Sequence, residues 1–146
     1  NDFSEADSDI YPMTKHGIDF GITVPQNVRR LRLDPGEAAG GLVLKKLVFE
    51  NGKEADFSSN GFPIGSGRYY FGGGDPQFVI DSIPENAGKL YVEIEVMKET
   101  EAQDAFWKSF SKISSEKDQE IQRLNRQIHE MENTKAWKLY RSIKKK

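Results

Sequence analysis

The run Arg68-Tyr69-Tyr70-Phe71, followed by Gly72-Gly73-Gly74, Asp75, Pro76 and Gln77, holds the side chains of this chain best suited to grip a ligand. Sugars are bound by aromatic faces laid against their C–H surfaces and by planar polar groups that donate and accept in pairs. Arg68, Tyr69, Tyr70, Asp75 and Gln77 supply that mixture among flexible glycines, so a glycan contact is the chemistry they suggest. The same residues fit a packed Tyr/Phe strand closed by a polar turn, and the pattern does not separate the two. Arg32-Leu33-Asp34-Pro35 places a cation and a carboxylate around a second tight turn.

Groupings that would catalyse a reaction are missing. There is no Cys, which removes thiolate chemistry, disulfides and zinc spacing. His16 sits in a Lys-His-Gly turn and His129 on a helical stretch far along the chain, and both read as solvated. Gly65-Ser66-Gly67 is too short for a nucleophile elbow, and Gly72-Gly73-Gly74 lacks the lysine and spacing of a phosphate loop. Glu93 and Glu95 share one strand face, the ordinary solvent side of a sheet rather than an acid–base pair. The expectation is a non-catalytic chain with no metal ligands and no cofactor.

The elements that must position these side chains change in kind near residue 100. Ile18, Phe20, Ile22 and Val24 alternate with polar neighbours, as do Leu31 and Leu33 with Arg30 and Arg32. Leu90, Val92, Ile94 and Val96 alternate most cleanly, so each set predicts a strand with those residues inward. Leu42 to Phe49 is a longer apolar run interrupted by Lys45-Lys46, which suggests a bulged strand. Short strands set apart by Pro25, Asp34-Pro35-Gly36, Asn51-Gly52 and the triple glycine predict an antiparallel β-sandwich of jelly-roll type. Its span is residues 15–100, after a flexible acidic leader at 1–14.

Residues 101–146 contain no Gly and no Pro. Phe106, Phe110, Ile113, Lys117, Ile121, Leu124, Ile128 and Met131 recur at steps of three and four. That is a heptad seam with a stutter at Lys117, over a helix at 101–134. Ile121 and Ile128 at a positions, with Leu124 and Met131 at d, match the pairing that favours a parallel dimer, although two heptads leave a trimer open. The first turns, with Phe106, Trp107 and Phe110, could instead pack on the sandwich. Beyond Ser115 the polar residues are continuous enough that self-association is the favoured use of the seam.

Charge divides along the same boundary. Residues 1–100 carry a net −6 and residues 101–146 a net +4, and the last twelve hold six basic residues and no acid. An acidic β domain is a poor partner for nucleic acid, because phosphate neutralisation supplies most non-specific affinity. The tail at 135–146 combines Trp137 and Tyr140 with Lys138 and Arg141, an aromatic-plus-basic pattern suited to an anionic membrane surface or to the solvated end of a coil. No apolar run reaches the ~18 residues of a membrane span, and none has the form of a secretory h-region. The absence of Cys suits a cytoplasmic setting, with the tail making the protein peripheral at the inner face of the membrane. A start at Asn1 reads as a piece of a larger protein.

The segments DFGITVPQNVRRLRLDP, GLVLKKLVF and YYFGGGDPQFVI together resemble the β-sandwich regions that accompany bacterial cell-surface polysaccharide glycosyltransferases, of the rhamnan and O-antigen type. The tail NTKAWKLYRSIKK is similar to the segment that follows a coiled coil in such proteins. Trp137, Lys138 and Leu139 match it, while Thr134 stands where Ser is usual and Ser142-Ile143-Lys144 replaces Pro-Leu-Arg. The resemblance implies a non-catalytic accessory region beside a glycosyltransferase domain. In that setting the sandwich would recognise or space polysaccharide and the helix would set subunit number. The competing expectation is a purely structural oligomerisation element without a ligand.

Overall fold

Alternation builds the strands where the sequence places it. The computed structural model describes residues 8–36, 39–134, 140 and 143. Its strands are β1 (Gly17–Thr23), β2 (Leu31–Leu33), β3 (Gly40–Phe49), β4 (Ser58–Ser59), β5 (Phe62–Gly65), β6 (Arg68–Phe71), β7 (Phe78–Ile80) and β8 (Lys89–Val96), followed by helix α1 (Glu99–Glu132). One sheet runs β1-β8-β3-β6-β5 and the other β2-β7-β4, with every pairing antiparallel. The chain is therefore mainly β, with two antiparallel sheets and one long C-terminal helix.

The two sheets contribute to one apolar core. Leu90, Val92 and Ile94 of β8, Phe49 of β3 and Phe78 and Ile80 of β7 are at most 2% exposed. Ile18, Phe20 and Ile22 of β1 and Leu31 and Leu33 of β2 pack against them, as their alternation predicts. Val96 departs from the expectation. It keeps the parity of Leu90, Val92 and Ile94 yet is 40% exposed, because cover over that face gives out at the end of β8. Period two fixes which face a residue takes, not whether anything lies above it.

The bulge lies where the lysine pair interrupts β3. The register against β8 slips between Leu44 and Lys46. One extra residue reverses the parity of the strand, so Leu42 and Leu44 face the core before it and Leu47 and Phe49 after it. Both lysines can thus be exposed in a strand that remains buried at either end.

A second, smaller cluster lies on the opposite face of the five-stranded sheet. Val43 and Tyr70 are strand neighbours of the core residues Leu42 and Phe71, so they point the other way. They pack with Ile64, Met97 and Phe62 against Ala102, Ala105 and Phe106 from the first turns of α1. The helix begins with Glu99 and Glu101, which favour its positive N-terminal end. Two compact units result, Asn1–Trp107 and Lys108–Lys146, so the β unit takes in these first turns instead of stopping at residue 100. Helical structure ends at Glu132, two residues short of the predicted boundary, where the Asn133 N–H bonds to the carbonyls of His129 and Glu130.

Gly41 is what allows this helix to seat. A Cβ built there would lie 2.4 Å from the Ala102 Cβ and 3.0 Å from the Met97 Sδ. Gly41→Ala is expected to destabilise the β unit by about 1–3 kcal/mol through overpacking, read from urea unfolding. Ala102→Gly should cost less in that background than in the parent, because it relieves the same contact. Purely additive effects would show that Gly41 and Ala102 do not share a contact.

Part of the leader meets the β unit. Tyr11 stacks on Phe20 with centroids 4.4 Å apart, and Met13 packs against the core. Residues 1–7 lie outside the described part of the chain. The signal was present as apolar side chains at positions 11 and 13, two apart, ahead of β1.

Candidate functional site

Strand β6 carries three of the five candidate glycan contacts and splits them between faces. Tyr69 points into the core, edge-on to Phe57 at 6.0 Å and to Phe78 at 5.3 Å. Tyr70, one residue on, points to the opposite face and stacks on Phe106 of α1 at 4.6 Å. The Arg68 Nε donates to the Gly65 carbonyl, 3.2 Å away, across the β5–β6 turn.

Asp75 and Gln77 satisfy each other instead of waiting for a ligand. The Gln77 side-chain amide donates to the Asp75 carboxylate at 2.5 Å. Asn60 completes the tie, donating to the Asp75 carbonyl and accepting from the Gln77 N–H, both at 2.8 Å. Asp75 sits at a φ of 67°, a left-handed position that Asp tolerates better than most residues, and Pro76 beside it is fully buried. The five candidates therefore form a packed aromatic strand and a self-satisfied polar turn, not one gathered surface. Asn60 was missed by sequence reasoning, although Asn60-Gly61 carries a turn signal of its own.

A concavity does exist nearby, at the bulge. About 300 Å³ in volume, it is lined by Leu44, Leu47, Phe57 and Tyr69 together with Lys45, Lys46 and Glu54. Tyr69 is the one predicted contact that reaches it. Lys45 bridges to Glu95 at 3.1 Å, and the Lys46 ammonium stands 5.1 Å from the centre of the Tyr91 ring. Glu95 is thus held in an exposed ion pair. Arg32 and Asp34 meet at 2.8 Å, closing the turn that the sequence marked, and Arg30 meets Asp81 at 2.7 Å. Each such exposed pair contributes at most about 1 kcal/mol.

The helical seam is open to solvent. Ile121, Leu124, Ile128 and Met131 are between 44% and 65% exposed, and Phe110 and Ile113 are exposed as well. Beside the seam, Glu120 and Arg123 form a forked pair at 2.6 and 2.7 Å. That hydrogen bond holds the Glu120 carboxyl below its ordinary value of 4.5 and the Arg123 guanidinium above its own. A lowered carboxyl pKa means the pair's contribution is present at neutral pH and lost as pH falls below that range.

Of the four candidate membrane contacts, Trp137, Lys138 and Arg141 lie outside the described residues. Tyr140 is helical and about half exposed. Among the described residues no helix is long and apolar enough to cross a membrane, and no three His, Cys, Asp or Glu side chains are grouped as metal ligands. Comparison with protein-family models, curated proteins and solved structures finds no match to this chain.

Proposed function

We propose that this chain is a non-catalytic module that self-associates through α1, in which a β-sandwich of jelly-roll type recognises or spaces polysaccharide. The observation that carries the self-association is the exposed row Ile121, Leu124, Ile128 and Met131. Four large apolar side chains on one stripe of a surface helix lose free energy in water and gain it against a second copy. The jelly-roll reading draws on the strand pairs β1–β8, β2–β7 and β3–β6, which nest like a long hairpin rolled into two sheets. The coil is a parallel dimer, following the β-branched a and Leu d pattern.

The sequence resemblance supports placing the module beside a bacterial glycosyltransferase that builds surface polysaccharide, cytoplasmic and peripheral at the inner face of the membrane. Sedimentation equilibrium on the whole chain tests the first part: a dimer is expected, and a monomer at high micromolar concentration would refute it. Titration with purified polysaccharide tests the second. A ligand-free oligomerisation element is the competing reading, favoured by the use of Tyr69, Tyr70, Asp75 and Gln77 in internal contacts.

The tail completes the proposal as a weak membrane contact. Each cation near an anionic surface adds about 1 kcal/mol, and two copies on one oligomer gain by avidity. Co-sedimentation with vesicles containing phosphatidylserine should weaken in salt and fall when Trp137 becomes Ala. Equal binding to neutral phosphatidylcholine vesicles would rule out the electrostatic mechanism.

A further inference from the structure

The edge of β3 that carries β6 is interrupted at the bulge. Leu44 donates its N–H to the Gly67 carbonyl at 2.8 Å, and the Leu47 carbonyl accepts from the Ala55 N–H at 2.9 Å. A residue in an antiparallel strand sends its N–H and its C=O to the same edge. The Leu44 carbonyl and the Leu47 N–H therefore face this gap, the carbonyl oxygen lying beside Gly67. One acceptor and one donor thus lie on the strand edge that borders the concavity lined by Phe57 and Tyr69.

We infer that this groove takes one neutral pyranose ring of a saccharide, with the ring against Tyr69 and Phe57 and its hydroxyls bonded to the Leu44 carbonyl and the Leu47 N–H. The inference rests on the carbohydrate part of the proposed function and moves the contact from the Arg68–Gln77 run to the bulge. Three properties select the occupant. Three residue steps open only about 10 Å of strand edge, which suits one ring and is too short to seat an added strand. Aromatic side chains beside a paired donor and acceptor are what a ring with an apolar face and equatorial hydroxyls requires. The charged lining is already matched: Lys45 by Glu95 and Lys46 by the Tyr91 ring, with Glu54 opposing any net positive field, so an anionic sugar gains little.

Nitrogen-15 NMR of the full chain, titrated with methyl α-glucopyranoside and methyl α-rhamnopyranoside, tests this. Sorbitol serves as a polyol without a ring. A saturable shift of the Leu47 amide is expected with at least one pyranoside and none with sorbitol, with a dissociation constant on the order of millimolar for so small a ligand. Tyr69→Ala should abolish it but also removes core packing. Glu54→Trp is the cleaner variant, since Glu54 is exposed and lines the groove, and it should change the affinity several-fold, by blocking the groove or by adding an aromatic face, with an unchanged unfolding midpoint. Saturable shifts centred elsewhere, or no effect of Glu54→Trp, would overturn the groove and leave the carbohydrate reading standing. Equal shifts with sorbitol would overturn ring recognition. No shift with any pyranoside far above millimolar concentration would overturn both, leaving self-association alone.

Discussion

Val92→Asp is expected to leave the β unit largely unfolded at neutral pH. Val92 lies in β8, flanked by β1 and β3, with Phe20 and Leu47 as its cross-strand neighbours, and it is fully buried. Among the described residues no polar or charged side chain is buried, so nothing there could pair with a carboxylate. Burying an unpaired ion costs several kcal/mol after relaxation, against a total stability of about 5–15 kcal/mol for a domain. The introduced group would escape part of this by remaining protonated in the folded state. Its folded pKa would then stand above its unfolded value, so the folded state binds the extra proton and stability falls as pH rises between the two. Circular dichroism under urea should find the variant far weaker than its parent at pH 7 and partly recovered near pH 4. A midpoint equal to the parent's at pH 7 would mean that β8 is not the centre of the core.

Much of this sheet was legible in the sequence because period two is a local signal. Ile18, Phe20 and Ile22, Leu31 and Leu33, and Leu90, Val92 and Ile94 announce their faces without knowledge of their partners. Lys45-Lys46 announced the bulge, since two adjacent charges within a buried strand need an extra residue to turn both outward. The site was far less legible, and Tyr69 and Tyr70 show why. Composition treats two adjacent tyrosines as one aromatic resource, while a strand sends them to opposite faces, one onto Phe78 and the other onto Phe106. Asp75 and Gln77 read as available for the same reason. Their partner Asn60 is 15 residues from one and 17 from the other, and no local pattern brings it near. The groove at the bulge depends on where the β3 edge passes from bonding with Gly67 to bonding with Ala55, a tertiary property that no run of residues encodes.

Asp substitutions at Leu124 and Ile128 together should convert the proposed dimer to a monomer without weakening the β unit. Burying a large apolar side chain from full exposure is worth about 1.5–3 kcal/mol. Ile121, Leu124, Ile128 and Met131 are already about half covered by their own helix, so each has roughly 1 kcal/mol left to gain. Two copies supply eight such side chains, and the cost of association is about 4–15 kcal/mol. Phe110 and Ile113 of the same seam add four more, and the resulting gain of about 12 kcal/mol leaves a micromolar dimer only at the low end of that cost, with little to spare. Two carboxylates per copy remove a third of these apolar contacts and set like charges facing across the seam. Sedimentation equilibrium should therefore report close to the single-chain mass of 16.6 kDa for the double variant and twice that mass for the parent. Helical signal should fall as well, because most of a protein helix's stability comes from packing of its apolar face, which the variant would lose. The urea midpoint of the β signal should not move, since the substituted positions belong to the unit Lys108–Lys146 and not to Asn1–Trp107. A double variant that stayed dimeric would move the interface off this seam. A parent that was monomeric at high micromolar concentration would end the idea that α1 joins copies at all.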